Sequence, residues 1–198
     1  MSFAPAVPET AARTASLSRQ GSARGESHQV GKSTVDVFDP QRLRQARIAA
    51  GLTQRDLAIR LLEADLAAKQ IDRSSLSAEA WAKAVETERG RVITYEQGIH
   101  TPRAQLLRRL ADAVGVEDAF TLFRPGTPRT LVTLRTRLGL TQGDVAAHLH
   151  TVGRPYYSRI EQGRGTLQDE EDRRRLAELL QIDVAEIRAL TAGDSATV

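Results

Sequence analysis

The chain contains an internal repeat, and this feature limits its possible folds more than any other. A shift of 88 residues aligns LRQARIAAGLTQRDLAIRL, which begins at Leu43, with LVTLRTRLGLTQGDVAAHL, which begins at Leu131, and 9 of the 19 positions are identical. Self-similarity at a fixed offset indicates repeated supersecondary units. We therefore expect two copies of one small domain.

Two shorter matches continue the repeat at a smaller offset. Glu-Gln-Gly occurs at residues 96–98 and again at 161–163, which is an offset of 65, and Arg-Arg-Leu-Ala occurs at 108–111 and 174–177, an offset of 66. The fall from 88 to 65 means that the first copy carries about 23 additional residues. We place this insertion at about residues 67–88, between the second helix and Glu-Gln-Gly.

The repeat predicts the domain organisation of the chain. The first domain spans residues 38–125 and the second spans 126–192, joined by a short link that contains Pro125 and Gly126. Residues 1–36 are rich in Ala, Ser, Pro, Gly and Arg and contain almost no large hydrophobic residues, which is typical of a disordered arm. Residues 193–198 are predicted to be a disordered tail.

Apolar residues recur at helical spacing in both copies, and no segment alternates with the period of two that a half-buried strand requires. We therefore predict an all-α protein. Helix starts are expected at Asp39-Pro40, at Thr53, at Thr101-Pro102 and at Thr127-Pro128, because each combines a capping side chain with a proline or a capping box. The insertion is expected to lengthen the second helix and to add one more helix before the third.

The composition excludes several classes of function. Cysteine is absent, so disulfides, thiolate zinc sites and cysteine nucleophiles are excluded. No apolar run approaches the roughly 18 residues that a membrane-spanning helix needs, and we expect a soluble, cytoplasmic protein. Neither a cluster of metal ligands nor a nucleophile with its base can be assembled, so we expect neither an enzyme nor a bound cofactor.

The order of motifs in each copy resembles a known family. Each copy has a helix, Gly-Leu-Thr-Gln, a second helix, a turn, a third helix that ends in Glu-Gln-Gly after a hydrophobic or aromatic residue, and a further amphipathic helix. This order is similar to the Cro and repressor family of helix-turn-helix domains, also called the XRE family, over about residues 43–123 and 128–190. The resemblance implies two tandem lambda-repressor-like domains, the first with an inserted helical segment.

The resemblance also implies which residues contact DNA. In the second copy the recognition helix is expected at about residues 154–162, with Tyr157 and Ile160 facing inward. In the first copy it is expected to end at Glu96, with Val92 and Tyr95 facing inward. The outward residues that we assign to base contacts are Arg154, Tyr156, Arg159, Arg89, Arg91 and Thr94, and those that we assign to phosphate contacts are Gln54, Gln142, Arg55, Ser158 and Arg164.

These expectations predict a transcriptional regulator that reads two adjacent half-sites of double-stranded DNA from one polypeptide, as the dimers of single-domain relatives do. Such a protein would lie in the cytoplasm with the nucleoid and could also form a homodimer. An alternative is a protein-interaction module, antitoxin-like or an adaptor of RNA polymerase, that uses an exposed surface of the insertion at Leu76, Trp81 and Val85. Binding of structured RNA is a further alternative.

Overall fold

The computed structural model describes residues 37–192, and the predictions of a disordered arm at 1–36 and a disordered tail at 193–198 lie outside these residues. Within the described part all regular structure is helical, which confirms the predicted fold class, and an isolated antiparallel bridge joins Phe38 to Phe123. No described helix has both the length and the apolar character to cross a membrane.

Residues 38–125 are referred to below as the first unit, and residues 126–192 as the second unit. The helices of the first unit are α1 (Pro40–Ala49), α2 (Gln54–Ala68), α3 (Ala78–Glu96) and α4 (Ala104–Ala113), with short 3-10 turns at Arg73–Ser75 and Ala119–Leu122. Those of the second unit are α5 (Leu131–Arg137), α6 (Gln142–His148), α7 (Arg154–Glu161), α8 (Glu170–Leu180) and α9 (Val184–Thr191).

Local capping interactions set the start of the first two helices, as the sequence predicts. The Asp39 carboxylate accepts a hydrogen bond from the backbone N–H of Gln41, and Pro40 is the first residue of α1. The side chains of Thr53 and Asp56 form a reciprocal capping box at the start of α2. Both arrangements satisfy backbone donors that a helix leaves without partners.

The predicted helix starts at Thr101-Pro102 and Thr127-Pro128 are wrong. Helix α4 begins at Ala104, and helix α5 begins at Leu131, where Thr130 supplies the cap. In both cases the first helical residue is also the first one of its helix to enter the core. The capping box of Thr130 with Thr133 marks the start of α5, and both Thr-Pro pairs lie in the preceding loops.

The insertion lengthens two helices and adds a short 3-10 turn at Arg73–Ser75 but no further α-helix. Helix α2 has 15 residues where α6 has 7, and α3 has 19 where α7 has 8. The prediction of one more helix before the third is therefore wrong, because the inserted residues continue into α3 without a break. Helices α2 and α3 pack along each other, and this contact buries Val85. The prediction that Val85 lies on an exposed surface is therefore wrong.

Each unit contains its own hydrophobic core, and the two cores adjoin. The first includes Leu43, Leu57 and Leu107, and the second includes Leu134 and Tyr157. The half-buried ring of Phe120 packs against both cores, and helix α4 packs against helix α5. The two units therefore meet through packed side chains and not only through the link at residues 123–127.

Two equivalent glycines provide a test of this contact. Gly51 and Gly139 occupy matching repeat positions and have φ values of +70° and +75°, which cost an alanine about 1–2 kcal/mol. A Cβ atom on Gly51 would have no neighbour within 4 Å, whereas one on Gly139 would lie 2.9 Å from the Cβ of Arg108. We expect Gly139→Ala to destabilise the protein by roughly 1–3 kcal/mol more than Gly51→Ala, because overpacking adds to the strain.

Urea unfolding of the two single variants measures this difference. Gly51→Ala is the matched control, since it introduces the same backbone strain without the contact to α4. Equal losses of unfolding free energy in the two variants would show that the α4–α5 contact does not form in solution.

Candidate nucleic-acid interface

Each unit contains the same buried ion pair, which joins its first helix to its third. The Arg47 Nε donates to Glu96 Oε1 at 2.6 Å, and the Arg135 Nε donates to Glu161 Oε1 at 2.7 Å. A second guanidinium N–H of each arginine reaches the other carboxylate oxygen, at 3.1 Å and 3.3 Å. Each pair is thus bidentate, and the pair of the second unit is 2% exposed on both side chains.

The same two ion pairs also hold the second helix of each unit. The Nε2 atoms of Gln54 and Gln142 donate to the carboxylates of Glu96 and Glu161, at 2.8 Å and 2.7 Å. The third guanidinium nitrogen of Arg135, Nη1, donates to the carbonyl of Leu140 in the loop before α6. In each unit the carboxylate on the third helix thus joins the first and second helices to it. We call these three side chains, Arg47, Glu96 and Gln54 or Arg135, Glu161 and Gln142, the Arg-Glu-Gln brace.

Asp172 of α8 holds the turn between α6 and α7. Its carboxylate accepts hydrogen bonds from the backbone N–H groups of His150 at 2.7 Å and Thr151 at 3.0 Å, and from the Thr151 hydroxyl. Burial on its own would raise the pKa of Asp172, but these hydrogen bonds outweigh it and lower the pKa. No local sequence signal marks this role of Asp172, because its partners lie 22 and 21 residues earlier in the chain.

Helix α7 has one buried face and one exposed face. Tyr157 and Ile160 are buried in the second core, and Arg154, Tyr156 and Arg159 are exposed on the other side. The Arg159 guanidinium lies 5.8 Å from the centre of the Tyr156 ring, and the Tyr156 hydroxyl donates to the carbonyl of Thr166. Among the described residues, neither arginine has an acidic side chain within ion-pair distance.

The residues assigned to phosphate contacts lie in different surroundings. Gln54 and Gln142 are half-buried and engaged in the braces, and Ser158 accepts hydrogen bonds from Gln142 and Gln162 at 3.3 Å each. Arg164 is exposed directly after α7. Arg55 is also exposed and lies 3.8 Å from a carboxylate oxygen of Glu86.

The corresponding segment of α3 differs from α7 in position and in charge. Arg89 and Arg91 are exposed but form ion pairs at 2.9 Å with Glu86 and Glu88, each one turn earlier in the helix. The Thr94 hydroxyl is half-buried and donates to the carbonyl of Arg91. Arg89 and Arg91 lie within a long helix and Thr94 lies in its last turn, whereas Arg154 and Tyr156 lie in the first turn of α7.

One basic side chain near the candidate interface is not among the residues that the sequence predicts. Arg103, the residue before α4, lines a cleft of about 420 Å³ between the units together with Gln105 of α4, Thr141 and Gln142 at the start of α6, and Arg154. Arg103 is exposed, and no described acidic side chain lies within ion-pair distance of it. No local motif marks this residue, because its neighbours come from the other unit.

Comparison with known proteins bears on the second unit. A family model described as a helix-turn-helix domain matches residues 129–190. No curated protein and no solved structure matches the chain. The matched residues contain α5 to α8 and most of α9, so the ion pair of the second unit and the exposed face of α7 lie within a helix-turn-helix domain, a DNA-binding class.

Proposed function

We propose that the chain is a sequence-specific DNA-binding regulator of the Cro and repressor type, with two tandem helix-turn-helix domains on adjacent half-sites of double-stranded DNA. The observation that carries this proposal is the exposed face of α7. Its arginines have no described acidic partner, while the opposite face is locked in the core. The function is binding without catalysis, in the compartment that holds the DNA.

The Arg-Glu-Gln brace and the hydrogen bonds of Asp172 to the turn before α7 support a role for α7 in base recognition. A recognition helix must be held rigidly across its partner helix, so that its exposed residues enter the major groove while the partner's first turn lies against the DNA backbone. Arg154 and Arg159 offer bidentate donors that suit guanine. Tyr156 presents part of its ring beside Arg159, and Arg164 is free to contact a phosphate.

The repeated brace supports the same role for the first unit. Arg47, Glu96 and Gln54 make the contacts that Arg135, Glu161 and Gln142 make in the second unit. The ion pair of Arg89 with Glu86 is exposed on both side chains, and such pairs contribute roughly 0–1 kcal/mol. Arg89 can therefore exchange its glutamate for a base or a phosphate at little cost, whereas Arg91 would leave the buried carboxylate of Glu88 behind.

The test is selection of genomic DNA fragments by the purified protein and by the double variant Arg154→Ala/Arg159→Ala. Each lost bidentate contact is worth about 1–3 kcal/mol, so we expect the affinity for the selected site to fall roughly 30-fold or more. One half of the selected motif should lose its sequence preference, and the other half should keep it.

Arg174→Ala/Arg175→Ala is the matched control, because it removes the same charge from α8 and leaves α7 intact. We expect this control to keep the motif. Selection of the same motif with the same affinity by the α7 variant would overturn the assignment of α7. Salt-sensitive binding without any motif in the unaltered protein would overturn the proposed function.

A second candidate function rests on the extended α2–α3 pair. Ile71 and Leu76 are exposed near the end of this extension, and the Arg73 guanidinium lies 4.4 Å from the centre of the half-buried Trp81 ring. Such a surface fits a protein partner, for example RNA polymerase or a second copy of the chain. Sequence-independent DNA binding in the selection experiment would favour this candidate.

A further inference from the structure

We infer that the two helix-turn-helix units lie on DNA in the same direction, as on a direct repeat, and not in the opposed directions of an inverted repeat. This inference rests on the proposed function, and it concerns how the two half-sites are arranged. It follows from which faces of the two units are in contact.

The contact between the units joins faces that are not equivalent. Helix α4 of the first unit packs against α5 of the second, and in the repeat α4 corresponds to α8 while α5 corresponds to α1. A two-fold arrangement would require a matching contact between α8 and α1. Among the described residues no packing of comparable extent joins these two helices.

The equivalent glycines show the same asymmetry. A Cβ on Gly139 would lie 2.9 Å from the Cβ of Arg108 and 3.4 Å from the Cα of Gln105, both in α4. A Cβ on the matching Gly51 would meet no atom within 4 Å. The surface that α4 covers in the second unit is therefore open at the matching position of the first unit.

The polar and aromatic contacts at this boundary are also one-sided. Arg137 forms an ion pair with Asp118 at 3.4 Å, and its guanidinium lies 5.7 Å from the centre of the Phe120 ring. The repeat partner of Arg137 is Ala49, at the offset of 88. Ala49 cannot form the reciprocal ion pair or the reciprocal contact with an aromatic ring, so these contacts of Arg137 have no two-fold counterpart.

An inverted pair of half-sites has a two-fold axis, and two units bound to it in the same way share that axis. Such an axis brings equivalent faces together. Units that touch through non-equivalent faces and both place a recognition helix in the groove are instead related by a step along the DNA. The arrangement thus differs from the two-fold dimer of single-domain relatives.

The test is affinity cleavage of the selected DNA fragment. Because the chain has no cysteine, single cysteines can carry an iron chelate that cuts nearby DNA. The pair Gly90→Cys and Gln97→Cys labels α3 and the residue after it, and the pair Pro155→Cys and Gln162→Cys labels the equivalent positions of the second unit. Residues seven apart on a helix are separated by roughly 10 Å, or about three base pairs.

We expect the order of the two cuts along the DNA to be the same for both units. Opposite orders would overturn the inference, and so would cuts from the second unit alone, since the first unit would then be off the DNA. If none of the four variants gave localised cuts and the unaltered protein selected no motif, the proposed function itself would have failed.

Discussion

Replacement of Glu161 by alanine is expected to destabilise the second unit by about 3–5 kcal/mol, because it leaves the buried guanidinium of Arg135 without its counter-charge. The pair is 2% exposed on both sides, so solvent cannot replace the lost carboxylate. The amide of Gln142 loses its acceptor in the same change. Thermal unfolding measures the loss, with a fall of the melting temperature by roughly 10 °C.

Two further variants distinguish the loss of the buried ion pair from the general effect of a substitution on stability. Glu171→Ala is the control, because Glu171 is a largely exposed partner of two arginines, and removal of such a surface pair costs at most about 1 kcal/mol. The double variant Arg135→Met/Glu161→Leu removes both charges, and it is expected to recover most of the stability lost in Glu161→Ala. A single variant as stable as the control would show that the brace is not closed in solution.

Replacement of Asp172 by alanine is expected to cost about 3 kcal/mol at neutral pH. The change removes the buried acceptor of three hydrogen bonds and leaves the backbone donors of His150 and Thr151 without this partner. Because this turn sets α7 across α6, the variant is also expected to weaken DNA binding under conditions where it is still folded. Denaturant unfolding measures the first effect and DNA titration the second.

The pH dependence of the Asp172 effect has a definite sign. The folded pKa of this carboxyl lies below its ordinary value, so its contribution is complete above about pH 4 and is lost as the pH falls through the folded pKa. The stability difference between the unaltered protein and Asp172→Ala should therefore narrow in acid. Asp169→Ala removes only the cap of α8 and serves as the comparison, and an unchanged difference down to pH 3 would contradict the role of the carboxylate.

Local sequence signals predicted much of each unit. Thr53, which the sequence predicts as the start of α2, forms a capping box with Asp56, and this contact spans only three residues. Gly51 and Gly139 end the preceding helical segments with positive φ values. The burial of Tyr157 beside the exposed Tyr156 follows from helical periodicity.

Other features depend on partners that are distant along the chain. Arg47 and Glu96 are 49 residues apart, and Arg135 and Glu161 are 26 apart. Their repetition is visible in the sequence, but a pattern of identities does not say which charged side chains will meet. The sequence does not indicate that α3 is continuous, since its inserted first half and its second half pack along α2 as one helix only in the folded unit.

The sequence by itself determined the helical class, the repeat, the length of the insertion and the inward and outward faces of α7, because these features depend on contacts within a few residues. Only the tertiary structure decided that Arg103 and Arg154 line one cleft, that Asp172 holds the turn before α7, and that α4 covers Gly139 while Gly51 stays open. These features depend on which surfaces of the folded units come together, and that choice is made by the complementary shapes of packed side chains and not by any local segment.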